Sequence, residues 1–377
     1  MKKTFCKTVA LALMALTISG CATSKAQRQP AESSDQILFF TTPKDLHRTW
    51  LRVIGKAQKS IFMEMFHLTD QAIVDALRAK PTQVEITLIF DSGNLLDPKT
   101  EQIKEQILAD RPNIHVYPSS GPPNGFTQTH TKAMIADGAV ALVTSINLTE
   151  NADVQRDYGI ETSDPAVIAE MKTVFTADIQ NSENAQNHQE PMRATPDGVG
   201  KGKLIWSPTG SEDRLVSLIQ EASSIPNGPN KFLYATVENL GDVAIQNALS
   251  EAAKNGVDVR LIVPQCVLGK NGPRNYDFFQ FLTGGVHYRV MPHPSSNQKP
   301  YMHGKMMVLG NGSTYIGSVN YSKNSTQGNR ELGIIFTNSD ISQRVKSVFN
   351  KDWKNAEDVA DPTDKPDCPT TTSSPSQ

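Results

Sequence analysis

Four cysteines among 377 residues are too few for a scaffold held together mainly by disulfides. An excess of one charge is also missing, since 37 basic residues face 39 acidic ones for a net charge of −2. Lys2, Lys3 and Lys7 stand in the first twenty residues without an acid, leaving 34 basic against 39 acidic residues beyond them. A mildly acidic body weighs against a nucleic-acid binder driven by overall charge, although it leaves room for a local basic groove. Past the N-terminus no apolar run is long enough to span a bilayer. What is present is a globular composition, 38% apolar and 20% charged, which excludes a disordered or collagen-like chain. The length suits two or three domain equivalents or one large double domain.

Residues 1–20 combine a basic start, an apolar run from Val9 to Ile18 and small residues, the layout of a secretory signal. Ile18-Ser19-Gly20-Cys21 resembles a bacterial lipobox, which implies cleavage before Cys21 and its acylation. Acyl chains at ~0.8 kcal/mol per buried methylene make a lasting anchor. Ala22 is not the Asp of an inner-membrane retention signal, so the expectation is a lipid-anchored envelope protein, with the outer membrane favoured. Cys6 leaves with the signal, and Cys266 and Cys368 remain in an oxidising compartment, where a bridge and two free thiols are both open.

Residues 21–37 read as a polar tether, 181–203 as a linker and 356–377 as a disordered tail. Between them the chain repeats itself. Asp70-Gln71-Ala72-Ile73-Val74-Asp75-Ala76-Leu77 parallels Asp242-Val243-Ala244-Ile245-Gln246-Asn247-Ala248-Leu249, each with apolar residues at helical spacing. Strand-like runs flank both: 60–66 and 84–90 in one copy, 231–236 and 257–263 in the other. The offset stays near 172–174. Strand, helix, strand twice over predicts an α/β fold of two similar halves, 38–180 and 204–355, with mixed, largely buried sheets packed about a pseudo-twofold axis. Such a chain is expected to be a monomer that forms a dimer-like pair within itself.

The offset continues into the polar segments. His130-Thr131-Lys132, Asp137 and Thr144-Ser145-Ile146-Asn147 are answered by His303-Gly304-Lys305, Gly310 and Gly317-Ser318-Val319-Asn320. A further echo joins Arg156-Asp157-Tyr158-Gly159-Ile160 to Arg330-Glu331-Leu332-Gly333-Ile334. In a strand, period two puts His130 with Lys132, and Ser145 with Asn147, on one face. Asp137-Gly138 and Asn311-Gly312 are hairpin signals. Each half thus offers an imidazole, an ammonium, a hydroxyl and an amide, and the acid at 157 or 331 would come within reach of a histidine. That set suits phosphodiester chemistry. Lysine and asparagine hold non-bridging oxygens, one histidine attacks phosphorus, the other protonates the leaving oxygen, and a carboxylate orients each ring.

With these residues the chain resembles the phospholipase D superfamily, marked by a paired H-x-K-x4-D-x6-G-S-x-N, over most of residues 38–355. The resemblance implies His130 and His303 as nucleophile and general acid/base through a phosphohistidine, His130 being the expected nucleophile. It implies Lys132, Lys305, Asn147 and Asn320 on the phosphate, Ser145 and Ser318 in support, Asp137 as a structural motif residue, and no metal or other cofactor. Asp157 and Glu331 are the expected histidine partners. Two departures stand out: Thr144 replaces the motif Gly, and Gly310 replaces the second Asp. If that Asp only shapes the turn, restoring it should change the rate little.

Hydrolysis of phospholipid headgroups at a membrane is the leading expectation. The rivals are a nuclease, a phosphatidyl transferase of the cardiolipin synthase kind, and a catalytically weak binding lipoprotein. His47, His67, His115, His188, His287 and His293 lack metal-ligand spacing and read as structural or exposed. Leu95, Leu96, Phe126, Phe278 and Phe279 precede the motifs and either meet lipid or pack the fold. Asp91 reads as a loop-orienting residue, and the Lys270–Arg274 stretch as a turn with too few charges for nucleic acid.

Overall fold

The structure, a computed structural model, describes residues 37–368 except 44, 120–124, 151–153, 187–194, 268–274 and 297. The signal, Cys6, Cys21, the tether, His188 and the 270–274 turn lie outside the described residues. The described chain belongs to one compact unit.

The first half runs β1 (Ile37–Thr41), α1 (Leu46–Lys56), β2 (Ser60–Met65), α2 (Gln71–Arg78), β3 (Glu85–Phe90), α3 (Pro98–Leu108), β4 (Ile114–Pro118), β5 (Lys132–Ala136), β6 (Val140–Thr144), β7 (Gln155–Arg156), β8 (Tyr158–Thr162) and α4 (Pro165–Gln186). The second runs β9 (Leu204–Ser207), α5 (Ser211–Ser223), β10 (Phe232–Thr236), α6 (Val243–Lys254), β11 (Asp258–Pro264), α7 (Tyr276–Phe279), β12 (His287–Met291), β13 (Tyr301–Met302), β14 (Lys305–Leu309), β15 (Ser313–Gly317), α8 (Lys323–Gln327), β16 (Glu331–Thr337), α9 (Ser339–Asn355) and β17 (Glu357–Asp358).

One sheet has the order β1-β8-β6-β5-β2-β3-β4 and the other β9-β16-β15-β14-β10-β11-β12-β17. Both are mixed. β2 is parallel to β3 and antiparallel to β5, as β10 is to β11 and β14. The repeat in sequence is therefore a repeat in topology, with β17 as an added edge.

Alternation along the central strands explains how the sheets stack. Ala133 and Ile135 of β5, with Met306 and Val308 of β14, point into one shared core that also takes Phe175 of α4 and Phe349 of α9. Met134 and Ala136 turn to the outer layer under α1 and α2, while Met307 and Leu309 turn to that under α5 and α6. Strands covered on both faces need the unbroken apolar runs seen in the sequence. The repeated acid before α2 and α6 has a local cause. Asp70 accepts from the Ile73 amide, and Asp242 from those of Ala244 and Ile245, N-caps worth about 1 kcal/mol each.

Two boundaries differ from the expectation. The 181–203 stretch is not all linker, since α4 continues to Gln186 and Lys203 is tied to Asp164 at 2.6 Å. Nor is the tail from 356 disordered throughout. Glu357–Asp358 pairs with β12, and a disulfide joins Cys368 to Cys266 after β11. Polar composition signals low burial, but a covalent bridge and two ladder residues hold a segment without a hydrophobic face.

Candidate active site

Of the motif side chains only the two lysines sit within strands, where alternation had suggested all of them. His130 and His303 lie two residues before β5 and β14, whose first residues are Lys132 and Lys305. Ser145 and Asn147 follow the end of β6, and Ser318 and Asn320 the end of β15. Each pair of strands is a hairpin, so entry and exit lie at the same end, opposite the turn. That geometry gathers all eight side chains at one end of the sheets, and all eight are buried.

The two halves are cross-wired. Thr129 bridges Arg330 in parallel register, and Met302 pairs with Arg156 between β13 and β7. One residue further along each register, His130 meets Glu331 and His303 meets Asp157. His130 Nδ1 lies 2.8 Å from Glu331 Oε2, and His303 Nδ1 lies 2.8 Å from Asp157 Oδ1. Every imidazole thus takes its carboxylate from the opposite half. Ser145 donates to Asp157 at 2.6 Å. Ser318 instead hydrogen-bonds the backbone of Leu332, and Glu331 accepts from Ser325 and, at 3.1 Å, from Asn329.

Arginines one residue before each acid repeat the crossing. Arg156 holds Asp352 of α9 at 2.7 and 2.9 Å, and Arg330 holds Asp178 of α4 at 2.8 Å. The four are buried, so losing one partner would strand a charge at about 3–5 kcal/mol. The sequence echo contained both arginines, but the acid 22 residues after each, Asp178 and Asp352, serves the arginine of the other half and has no motif to mark it.

Burial, with Lys132 and Lys305 nearby, holds the His130 imidazole well below its usual range. Burial also brings Lys132 down to about 7 and raises Glu331 to about 7. A neutral His130 that donates Nδ1–H to an ionised Glu331 presents a free lone pair on Nε2. As pH rises through about 7, Glu331 ionises and prepares the ring, while Lys132 loses the charge that attracts phosphate. We therefore expect kcat/KM, which reports the free enzyme, to be bell-shaped with both limbs near neutrality. Lys132→Arg should remove the alkaline limb, because guanidinium keeps its charge. A pH–rate series on parent and variant checks this, and an unchanged alkaline limb would assign it elsewhere.

Asp137 stands away from the histidines, at the far turn. Its carboxylate accepts the backbone amides of Gln58, Lys59 and Ser60 at 2.7–3.0 Å, tying the hairpin to the start of β2. Gly310 in the second copy cannot carry that group. A Cβ there would lie 1.6 Å from the backbone oxygen of Asn230. Gly310→Asp, expected to change the rate little if the residue only shapes the turn, therefore carries a stability cost of its own. Overpacking against backbone should destabilise the fold by about 1–3 kcal/mol or more, read as a lower urea midpoint. The turn there closes through Gly312 in the left-handed region, with φ +93°.

Thr144 fits because Gly159 faces it across the ladder, and its hydroxyl caps the Lys132 carbonyl at 3.0 Å. Asp91 takes the Thr129 amide at 2.7 Å and so fixes the approach to His130, the orienting role read from sequence. Phe126 packs against the Arg330 guanidinium and Phe279 lies in the core, whereas Leu96 is exposed. The side-chain oxygen of Asn147 has no partner among the described residues, and that of Asn320 accepts from the Asn239 amide.

Two neighbours, Phe66 and Glu238, escaped the sequence reading, and a third, His67, takes the structural place read for it. Phe66 sets its ring 4.6 Å from that of His130 and 4.8 Å from Lys132 Nζ. His67, read as structural or exposed, stacks edge-on against Phe66, and burial with the Lys132 charge holds it down at about 3. Glu238 reaches Lys305 at 3.3 Å. Each follows an apolar strand as a lone residue, a position that carries no sequence signal. Among the described residues no group of three or more His, Cys, Asp or Glu side chains is placed to hold a metal ion.

Paired imidazoles, each backed by a carboxylate and flanked by a lysine on a duplicated α/β frame, define an enzyme of the phospholipase D superfamily. The family described as cardiolipin synthase, PLD-like domain matches residues 50–179 and 219–353, and the chain belongs to it. The chain is 22% identical over 333 residues to a probable cardiolipin synthase, YwiE of Bacillus subtilis, covering 82% of this chain but only 64% of that protein. It is 23% identical to phospholipase D Z of Dictyostelium discoideum, covering 87% and 89% of the two chains. With cardiolipin synthase A of Pseudomonas putida the identity is 22%, over 90% and 72%. Among solved structures, phosphatidylserine synthase of Haemophilus influenzae shares the fold at a TM-score of 0.64 and 12% identity, covering 88% and 89%.

Proposed function

We propose that this chain is a phosphodiesterase acting on phospholipid headgroups. The observation that carries it is the pair of crossed histidine–carboxylate dyads, with two buried lysines beside them. His130 Nε2 attacks phosphorus and the leaving oxygen takes a proton from His303. In the second step His303 takes a proton from the incoming hydroxyl, whose oxygen displaces His130. Lys132, Lys305, Asn147 and Asn320 surround the phosphate and offset its charge. The scheme asks for no metal and no organic cofactor.

Water as the second acceptor gives hydrolysis. An alcohol gives phosphatidyl transfer, a reading favoured by the names of the bacterial relatives. The test is product analysis of residues 22–377 with phosphatidylglycerol micelles, EDTA present, with and without added glycerol. Phosphatidic acid alone means hydrolysis, and cardiolipin or glycerol exchange means transfer. Turnover of DNA but no phospholipid would make the chain a nuclease, and binding without turnover would leave a lipid-binding lipoprotein.

The lipobox-like segment supports a location at a bacterial membrane, the outer one favoured. Among the described residues no helix is long and apolar enough to cross a bilayer. Cys21→Ala is expected to shift the protein from the membrane to the soluble fraction on cell fractionation. An unchanged distribution would count against acylation.

A further inference from the structure

The two halves match at the histidine, the lysine, the serine, the asparagine and the acid. They differ at one position that touches both the histidine and the lysine. Register fixes the equivalence. Ile61 faces Ala136 across β2 and β5, and Leu233 faces Leu309 across β10 and β14. The next landmarks agree, with Leu68 bridging Leu148 and Leu240 bridging Tyr321. Phe66 of the first half therefore corresponds to Glu238 of the second.

The consequence for each histidine is different. Phe66 gives His130 and Lys132 an uncharged aromatic neighbour. Glu238 gives His303 and Lys305 a carboxylate. Its Oε2 lies 3.3 Å from Lys305 Nζ and 3.7 Å from His303 Nε2. Its other oxygen accepts the Tyr301 hydroxyl at 2.7 Å. Its backbone carbonyl accepts the Asn275 amide at 3.0 Å, so both ends of the residue are fixed. His303 thus lies between two carboxylates, Asp157 on Nδ1 and Glu238 towards Nε2.

At 3.7 Å the second contact is an electrostatic attraction and not a hydrogen bond. Glu238 therefore faces the Nε2 edge of His303 without occupying it, which leaves that edge open to a leaving group. Burial works against the Glu238 charge, but Lys305, His303 and Tyr301 hold its carboxyl down at about 2, so it is ionised at any working pH.

We propose that Glu238 is a positioning residue that holds His303 for proton transfer, a part that Phe66 does not play for His130. The inference rests on the two-histidine reading above and adds the residue that equips His303, and not His130, for proton transfer. In the first step the His130 Nε2 lone pair forms the P–N bond. The P–O bond to the leaving group breaks, and its electron pair takes the Nε2 proton of His303. In the second step neutral His303 removes a proton from the acceptor hydroxyl. That oxygen forms the new P–O bond, and the P–N electrons return to His130.

The experiment compares two substrates that differ only in the leaving group, phosphatidylglycerol and phosphatidyl nitrophenol, in the same micelles. A nitrophenolate leaves without protonation, so only the glycerol ester needs His303 as an acid. For Glu238→Gln we expect first-step release of glycerol to fall by about 10²-fold and first-step release of nitrophenolate to stay within about threefold. Glu238→Asp should recover part of the glycerol-ester rate. Nitrophenyl turnover reports at the same time that the variants are folded. Mass spectrometry of the trapped adduct should find phosphate on residue 130 in the parent, a measurement that needs no variant. Equal losses on both esters, or no loss on either, would overturn the inference while leaving the two-histidine reading intact, and an adduct on residue 303 would overturn the inference and exchange the two roles. A parent that turns over neither ester would remove both.

Discussion

His130→Ala is expected to lose roughly 10⁴–10⁶-fold of turnover on both a glycerol ester and a nitrophenyl ester, the scale seen when a covalent nucleophile is removed. The loss should not depend on the leaving group, because no P–N bond can form with either substrate. His303→Ala should behave differently. Its role is the proton given to the leaving oxygen, worth ~10²–10⁴-fold, and a nitrophenolate needs none. That variant should keep much of the nitrophenyl rate in the first step and accumulate a phosphohistidine on residue 130, since deprotonation of the acceptor is now impaired. The measurement is a burst experiment with both esters, followed by mass spectrometry of the trapped protein. A leaving-group-independent loss in His303→Ala, together with survival of His130→Ala on the nitrophenyl ester, would exchange the two roles.

The second large effect follows from the crossing. Asp157→Asn should resemble loss of His303, although residue 157 belongs to the first half. Glu331→Gln should resemble loss of His130, although residue 331 belongs to the second. In each case an amide cannot hold the ring in the working tautomer, a change that costs up to ~10⁴-fold where a carboxylate orients a catalytic histidine. We expect Asp157→Asn to discriminate strongly between the glycerol and nitrophenyl esters, and Glu331→Gln to depress both alike. The opposite pattern, with each acid serving the histidine of its own half, would contradict the 2.8 Å contacts between His130 and Glu331 and between His303 and Asp157. Asp157→Asn carries a further cost, because Ser145 donates to the same oxygen that faces His303.

The duplicated α/β architecture was legible in the amino-acid sequence because a helix or strand with a buried face must repeat its apolar residues at a local period. The turn at Asp137-Gly138 was legible for the same reason, since it acts within a few residues of backbone. The histidines, lysines, serines and asparagines could be paired by constant offset, since a gene duplicated in one chain keeps its spacing. Which acid serves which histidine was not, because that is set by strand register between the halves, at Thr129 with Arg330 and Met302 with Arg156. The bridge from Cys266 to Cys368, the bar to any side chain at Gly310 and the contact of Glu238 with Lys305 were not legible either, because each joins segments far apart in the chain even within the second half and its tail. Local periodicity names the residues that face inward. Only the packing of two sheets against each other decides whom they meet, because those contacts join positions 100 to 200 residues apart, where no spacing in the chain constrains the pair.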